Sequence, residues 1–92
     1  MRVLNKFIIY QTHQDDYLSE VVEGEDANIL GWHPHPQHAI KFDTVDEARR
    51  TAQRIVDNKG YDLLICELRE SDTQFGVFEV DAVAPRINPS LN

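Results

Sequence analysis

Four segments of the chain carry the apolar pattern of β-strands. Val3–Gln11 and Tyr61–Arg69 have apolar side chains on both sides of a period-2 alternation, which is typical of strands buried on both faces. Tyr17–Val22 is rich in β-branched and aromatic residues, and Phe75–Val83 alternates small or apolar residues with acidic ones. The polar segment Thr12–Asp16 is too short for a crossover helix, so the first two strands should pair antiparallel.

A different periodicity predicts one helix after these first strands. Thr44 is a suitable N-cap, and Glu47, three residues later, completes a capping box. Gly60 is a suitable residue for the C-terminal end. Between these two ends the apolar side chains recur at helical spacing and form one stripe: Val45, Ala48, Ala52, Ile55 and Val56.

The segment Glu23–Gln37 has no period and is interrupted by glycine and proline, so we expect a loop there. Trp32 should anchor this loop on the core and be largely buried. Ala39–Phe42 is expected to form a short third strand. The fold class is therefore α+β: an antiparallel or mixed sheet of four to five strands with one helix packed on one face, in the chain order β-β-(β)-α-β-β. We expect a single domain over residues 1–83, followed by a flexible C-terminal tail, 84–92.

Composition narrows the class of protein. The single cysteine excludes an internal disulfide, and the longest apolar run of four residues is too short to span a membrane. Met1–Lys6 lacks the apolar stretch of a secretion signal, so a cytoplasmic location is expected. The net charge of −7 disfavours direct binding to nucleic acid.

Three of the four histidines lie within six positions, and they are the first candidate site. Neutral imidazoles are common ligands of zinc, copper and nickel, and an open zinc site can use three of them. The functional hypothesis is a metal site, and the alternative is a polar surface loop stiffened by prolines. The spacing matches no strong zinc motif, so we favour the loop. The candidate ligands are His33, His35 and His38.

The second candidate is an acidic surface. No lysine or arginine occurs between Phe7 and Ile40, whereas six acidic residues do. Such a segment suits a basic partner, or a decoy that occupies a nucleic-acid-binding protein; the alternative is solvated charge that keeps a small domain soluble. The candidate partner-binding residues are Asp15, Asp16, Glu20, Glu23 and Trp32.

Nothing in the chain indicates catalysis. Cys66 lies in an apolar strand with no sequence neighbour that would activate a thiol, so we interpret it as a small buried apolar residue. No phosphate loop, nucleophile elbow or nucleotide fingerprint is present. We therefore expect no catalytic residues and no cofactor.

The order of elements between Lys6 and Gly60 resembles a group of small, uncharacterised bacterial and phage proteins. The residues that carry this resemblance are Tyr17-Leu18, Trp32, Ala39-x-x-Phe42 and Thr44-x-x-Glu47-Ala48. In such proteins a β-hairpin is followed by a tryptophan-containing loop and a capped helix. The resemblance implies a bacterial or prophage origin and an accessory binding role, without catalytic residues.

One helix covers only one face of a sheet, yet two strands are apolar on both faces. The second face needs another cover: the loop with Ile29, Leu30 and Trp32, the tail with Ile87 and Leu91, or a second copy of the chain. We expect the loop to cover part of it and a homodimer to cover the rest. The favoured function is thus a non-enzymatic binding module with an unknown protein partner; the metal-binding and decoy hypotheses remain open.

Overall fold

The computed structural model describes residues 4–22 and 29–84, and within them five strands form one antiparallel sheet with a single α-helix on one face. A short 3₁₀ helix, Pro36–His38, precedes the α-helix α1, Val45–Lys59. The strands are β1 Leu4–Gln11, β2 Asp16–Val22, β3 Ile29–His33, β4 Leu63–Glu70 and β5 Phe75–Val83.

The order of strands in the sheet differs from their order along the chain. It is β3-β2-β1-β4-β5, and every neighbouring pair is antiparallel. After the helix, β4 returns to the free edge of β1 and pairs with its whole length, from Leu4 opposite Glu70 to Gln11 opposite Leu63. The α+β class and the helix on one face are confirmed, and the sheet is antiparallel, not mixed.

The third strand lies ten residues earlier than the sequence pattern predicts. Ile29–His33 pairs with β2, whereas of Ala39–Phe42 only Phe42 forms a bridge, with Phe7 of β1. The N–H of Ile40 also donates to the Leu18 carbonyl, at 2.9 Å. Strands β1 and β2 pair directly only at the end next to their turn. Farther from the turn the two strands separate, and this segment hydrogen-bonds to both of them.

Gly31 explains how β3 forms although a glycine interrupts its pattern. A Cβ atom at this position would lie 2.9 Å from the Cβ of Glu20 on β2, so only glycine lets the two strands pair this closely. Next to this contact, at Ser19, β2 contains a bulge that shifts its register against β3. The prediction of an irregular loop over Glu23–Gln37 is therefore wrong for residues 29–33.

The helix begins and ends as its sequence predicts. The N–H of Glu47 donates to Thr44 Oγ1 at 3.1 Å, and the N–H of Gly60 donates to the Val56 carbonyl at 2.8 Å. Gly60 has a φ of 74°, the left-handed conformation that favours glycine at this end. The apolar stripe of α1 packs on Ile9, Leu63 and Ile65 of the central strands, and this side of the sheet holds the larger core.

The C-terminal part of the fold is described as far as Ala84. Strand β5 ends at Val83, and Gln53 Nε2 of the helix donates to the Ala84 carbonyl at 3.4 Å. The predicted tail, with Ile87 and Leu91, lies outside the described residues from 85 onward. Within the described ranges, no helix is both long enough and apolar enough to cross a membrane.

Candidate partner-binding face

The sheet face opposite α1 carries a second, smaller apolar cluster, which we call the tyrosine face. Most of its members lie on four adjacent strands. Tyr10, Tyr17, Leu64 and Val77 are half-buried, and they surround the buried side chains of Ile8, Cys66 and Leu68.

Register explains why these side chains meet. Tyr17 is opposite His33 on one side and Tyr10 on the other, and Tyr10 is in turn opposite Leu64. Directly opposite residues point to the same face of a sheet. A row of imidazole, two phenol rings and a leucine therefore crosses β3, β2, β1 and β4.

The two tyrosines form a fixed aromatic pair. Their ring centroids are 5.1 Å apart at an interplanar angle of 51°. The Tyr10 hydroxyl donates to Asp15 Oδ1 at 2.5 Å, and this hydrogen bond raises the pKa of Tyr10 to about 12. Burial raises the pKa of Tyr17 as well. Both rings are thus neutral hydrogen-bonding groups at physiological pH.

Asp15 is held beside Tyr10 by the turn between β1 and β2. Its N–H donates to the Gln11 carbonyl at 3.1 Å, and its φ is 54°. This left-handed conformation favours glycine, although aspartate and asparagine tolerate it better than other residues do. The turn therefore presents a carboxylate at the edge of the tyrosine face.

A shallow cleft of about 260 Å³ lies between the tyrosine pair and strand β5. Cys66 is a buried residue in its lining, and Glu79 stands opposite Cys66 on β5. Burial, together with the charge of Glu79, raises the pKa of the Cys66 thiol to about 11. The thiol is protonated at neutral pH and packs as the small apolar residue that the sequence predicts. The cleft is lined by Tyr10, Asp15, Tyr17, Leu64, Cys66, Val77 and Glu79.

Part of the tyrosine face is covered by the segment that follows β3. Ala39, directly after the 3₁₀ helix, packs in the cluster with Ile8. Leu30 and Trp32, which we expected to cover this face, instead pack against the core on the helix side. Trp32 is partly buried there, with its ring centroid 6.1 Å from that of Tyr61. The expected cover is therefore wrong for these two residues.

The three candidate metal ligands do come together. The ring centroids of His33 and His38 are 4.3 Å apart, and His35 lies 6.4 and 6.2 Å from them. However, His33 Nδ1 accepts the backbone N–H of His35 at 3.0 Å, so this nitrogen is already used. In the part of the chain that the structure describes, no three His, Cys, Asp or Glu side chains are arranged to hold a metal ion.

Three of the candidate acidic residues, Asp15, Asp16 and Glu20, lie within the described residues. Asp15 borders the cleft, and Glu20 lies over Gly31 on the β2–β3 hairpin. Asp16 is half-buried opposite Gln11, and its Oδ1 is buried without a hydrogen-bond partner. Burial, followed by the charge of Asp15, raises the pKa of Asp16. Glu23 lies outside the described residues.

Most residues that build the cleft are absent from the candidate sites that the sequence predicts: Tyr10, Tyr17, Leu64, Val77 and Glu79. One signal was available for the tyrosines. They flank the short polar turn at matching distances, so hairpin pairing places them opposite each other. The contribution of β4 and β5 depends on the sheet order, which no local pattern encodes.

Comparison of the chain with protein-family models, with curated proteins and with solved structures finds no match. The resemblance to bacterial and phage proteins, and the origin it implies, stay predictions.

Proposed function

We propose that this chain is a non-enzymatic binding module that recognises a protein partner with its tyrosine face. One observation carries the proposal: a row of aromatic and aliphatic side chains crosses the sheet in register and stays half-exposed on the face that the helix does not cover. Tyrosine combines a large apolar ring with a polar tip at low entropic cost, and such residues are enriched where proteins meet.

The chemistry of the face agrees with binding better than with catalysis. The cysteine in the lining of the cleft has a pKa of about 11, so its thiol is protonated at neutral pH, whereas a nucleophile requires the thiolate. The Tyr10 hydroxyl is engaged with Asp15. A protonated thiol and a hydroxyl that already donates a hydrogen bond suit a surface that contacts a partner better than a site that transfers protons. The accessory role in a bacterial or prophage setting and the cytoplasmic location belong to the same proposal.

A matched pair of tyrosine substitutions tests the function. Tyr17 lies on the tyrosine face, whereas Tyr61 packs against the core on the helix side. The immobilised protein is exposed to an extract of its source cells, and bound proteins are compared among wild type, Tyr17→Ala and Tyr61→Ala. Circular dichroism and thermal unfolding establish that both variants are folded.

We expect a protein that the wild type retains to be lost with Tyr17→Ala and kept with Tyr61→Ala. The proposal is contradicted if folded Tyr17→Ala retains the same proteins as the wild type, or if the two variants lose them equally. Equal loss would mean that binding depends on general stability and not on this face.

A further inference from the structure

The cleft on the tyrosine face is large enough for one side chain of a partner and is bordered by negative charge. Its volume of about 260 Å³ exceeds that of any amino-acid side chain. Two carboxylates, Asp15 and Glu79, belong to its lining, and no lysine or arginine does. Because the thiol and both phenols are neutral at pH 7, the two carboxylates are the only charged groups in the lining of the cleft.

The rings add a second feature that favours a cation. Tyr10 and Tyr17 meet at 51° with centroids 5.1 Å apart, so they bound the cleft with two differently oriented aromatic surfaces. A cationic group is attracted to the face of an aromatic ring, and more strongly where water is excluded. Lysine and arginine also bring a long aliphatic stem, which suits contact with Leu64 and Val77.

Charge argues against a second copy of the chain as the occupant. The protein carries a net charge of −7, and a twofold pairing of tyrosine faces would bring the carboxylates of two clefts together. Like charges at an interface disfavour association. A basic segment of a different protein has the opposite sign and meets no such repulsion.

We propose that the cleft between Tyr10, Tyr17 and Glu79 binds a lysine or arginine side chain presented by the protein partner. This inference rests on the proposed function and specifies the chemistry of that partner. The carboxylate of Asp15, fixed by the Tyr10 hydroxyl, faces the cation from the hairpin, and the carboxylate of Glu79 faces it from β5.

The test measures binding of three short peptides by isothermal titration calorimetry. The peptides are identical except at the central residue, which is lysine, arginine or norleucine; norleucine keeps the aliphatic stem of lysine and removes its charge. We expect the lysine and arginine peptides to bind at low ionic strength, the norleucine peptide to bind at least about fivefold more weakly, and added salt to weaken only the charged peptides.

Charge-neutralising variants locate the binding to the cleft. Asp15→Asn with Glu79→Gln removes both carboxylates, and asparagine retains the left-handed turn conformation that residue 15 needs. Affinity for the lysine peptide should fall about fivefold. The control, Asp62→Asn with Asp72→Asn, removes the same charge at exposed positions outside the cleft and should retain wild-type affinity.

Equal binding of the norleucine peptide would overturn the inference, as would an equal loss of affinity in the control variant. Absence of binding by both charged peptides would overturn it too. In that last case the proposed function still stands if Tyr17→Ala loses the captured partner while Tyr61→Ala keeps it, so the two failures are distinguishable.

Discussion

A hydrogen bond between Tyr10 and Asp15 connects the turn after β1 to the tyrosine face. Asp15 has a left-handed backbone conformation in the polar turn between β1 and β2. This conformation places its carboxylate where it accepts the hydrogen bond from the Tyr10 hydroxyl. Glycine is the usual residue at such a backbone position. The hydrogen bond to Tyr10 partly offsets the cost of a larger residue there, and it places negative charge on the tyrosine face.

The Tyr10–Asp15 hydrogen bond predicts a tyrosine that ionises late. The folded-state pKa of Tyr10 is about 12 against an ordinary value of 10, because the bond requires the protonated phenol. The stability that this bond contributes is therefore fully present below pH 10 and is lost as the pH rises through about 12. An ultraviolet titration of tyrosinate checks the prediction.

Asp15→Asn and Tyr10→Phe serve as controls for the titration. Asparagine should move the late transition of Tyr10 toward the ordinary value, and phenylalanine should remove it. Because the pKa of Tyr17 is raised too, Tyr10→Phe should lose one late-ionising tyrosine and keep the other. A Tyr10→Phe variant with as many late-ionising tyrosines as the wild type would contradict the prediction.

The surroundings of Asp16 in the folded protein disfavour its negative charge. Its Oδ1 is buried without a partner, and burial together with Asp15 raises its pKa, so its charge at neutral pH opposes folding. A raised folded-state pKa means that stability is gained as the pH falls through that pKa. Asp16→Asn should therefore raise the thermal unfolding midpoint at pH 7, and this gain should shrink in acid.

Asp72→Asn is the matched control, because Asp72 is exposed in the turn before β5. It should leave the midpoint nearly unchanged. A lower midpoint for Asp16→Asn at pH 7 would show that the carboxylate makes a favourable interaction in the folded state.

At the scale of elements, the helix and the strand β3 show what local sequence does and does not determine. The helix could be predicted because its cap, stripe and terminal glycine are all local signals. Strand β3 could not, because glycine interrupts its pattern and its conformation depends on pairing with the bulged β2. In the same way, the hairpin alone predicts that the two tyrosines lie opposite each other. Leu64 and Glu79 lie near them only because β4 and β5 follow β1 in the sheet, and no local pattern predicts that order.

Substitutions at the two ends of α1 should lower the stability of the protein by similar amounts, for different reasons. Thr44→Ala removes the acceptor of the Glu47 N–H and should lower the free energy of unfolding by about 1 kcal/mol. Gly60→Ala should cost about 1 kcal/mol although nothing lies within 4 Å of the added Cβ, because the φ of 74° strains any other residue.

Chemical denaturation measures both values, with Asn58→Ala as a control in the exposed last turn. A Gly60→Ala variant as stable as the wild type would mean that the helix end adopts another conformation.

At the scale of the whole molecule, the sheet has two surfaces through which copies could associate. One is the tyrosine face, and the other is the edge strand β5, where Phe75, Phe78 and Val80 are 44, 47 and 46% exposed. Phe75 is opposite Glu70 and Phe78 is opposite Glu67, so these two rings lie on different faces of the strand. The homodimer that the sequence predicts stays a prediction. Because β5 is an edge strand whose outer backbone groups can pair with a second copy, we expect any self-association to use β5.

Light scattering over a dilution series tests which surface is used. Leu64→Glu on the tyrosine face should match the wild type at every concentration, whereas Val80→Lys should hold the mass at 10.6 kDa. If the mass falls in Leu64→Glu and not in Val80→Lys, two copies pair through the tyrosine face. Such pairing would make that face unavailable to a partner.

A two-dimensional NMR titration of the wild type with the lysine peptide shows directly which surface of the protein binds. We expect the largest chemical-shift changes on Tyr10, Tyr17, Leu64 and Glu79, on one face of the sheet, while the helix residues Arg50 and Thr51 stay unchanged. Largest changes on the helix, or on the edge of β5 alone, would contradict the assignment of the tyrosine face as the binding surface.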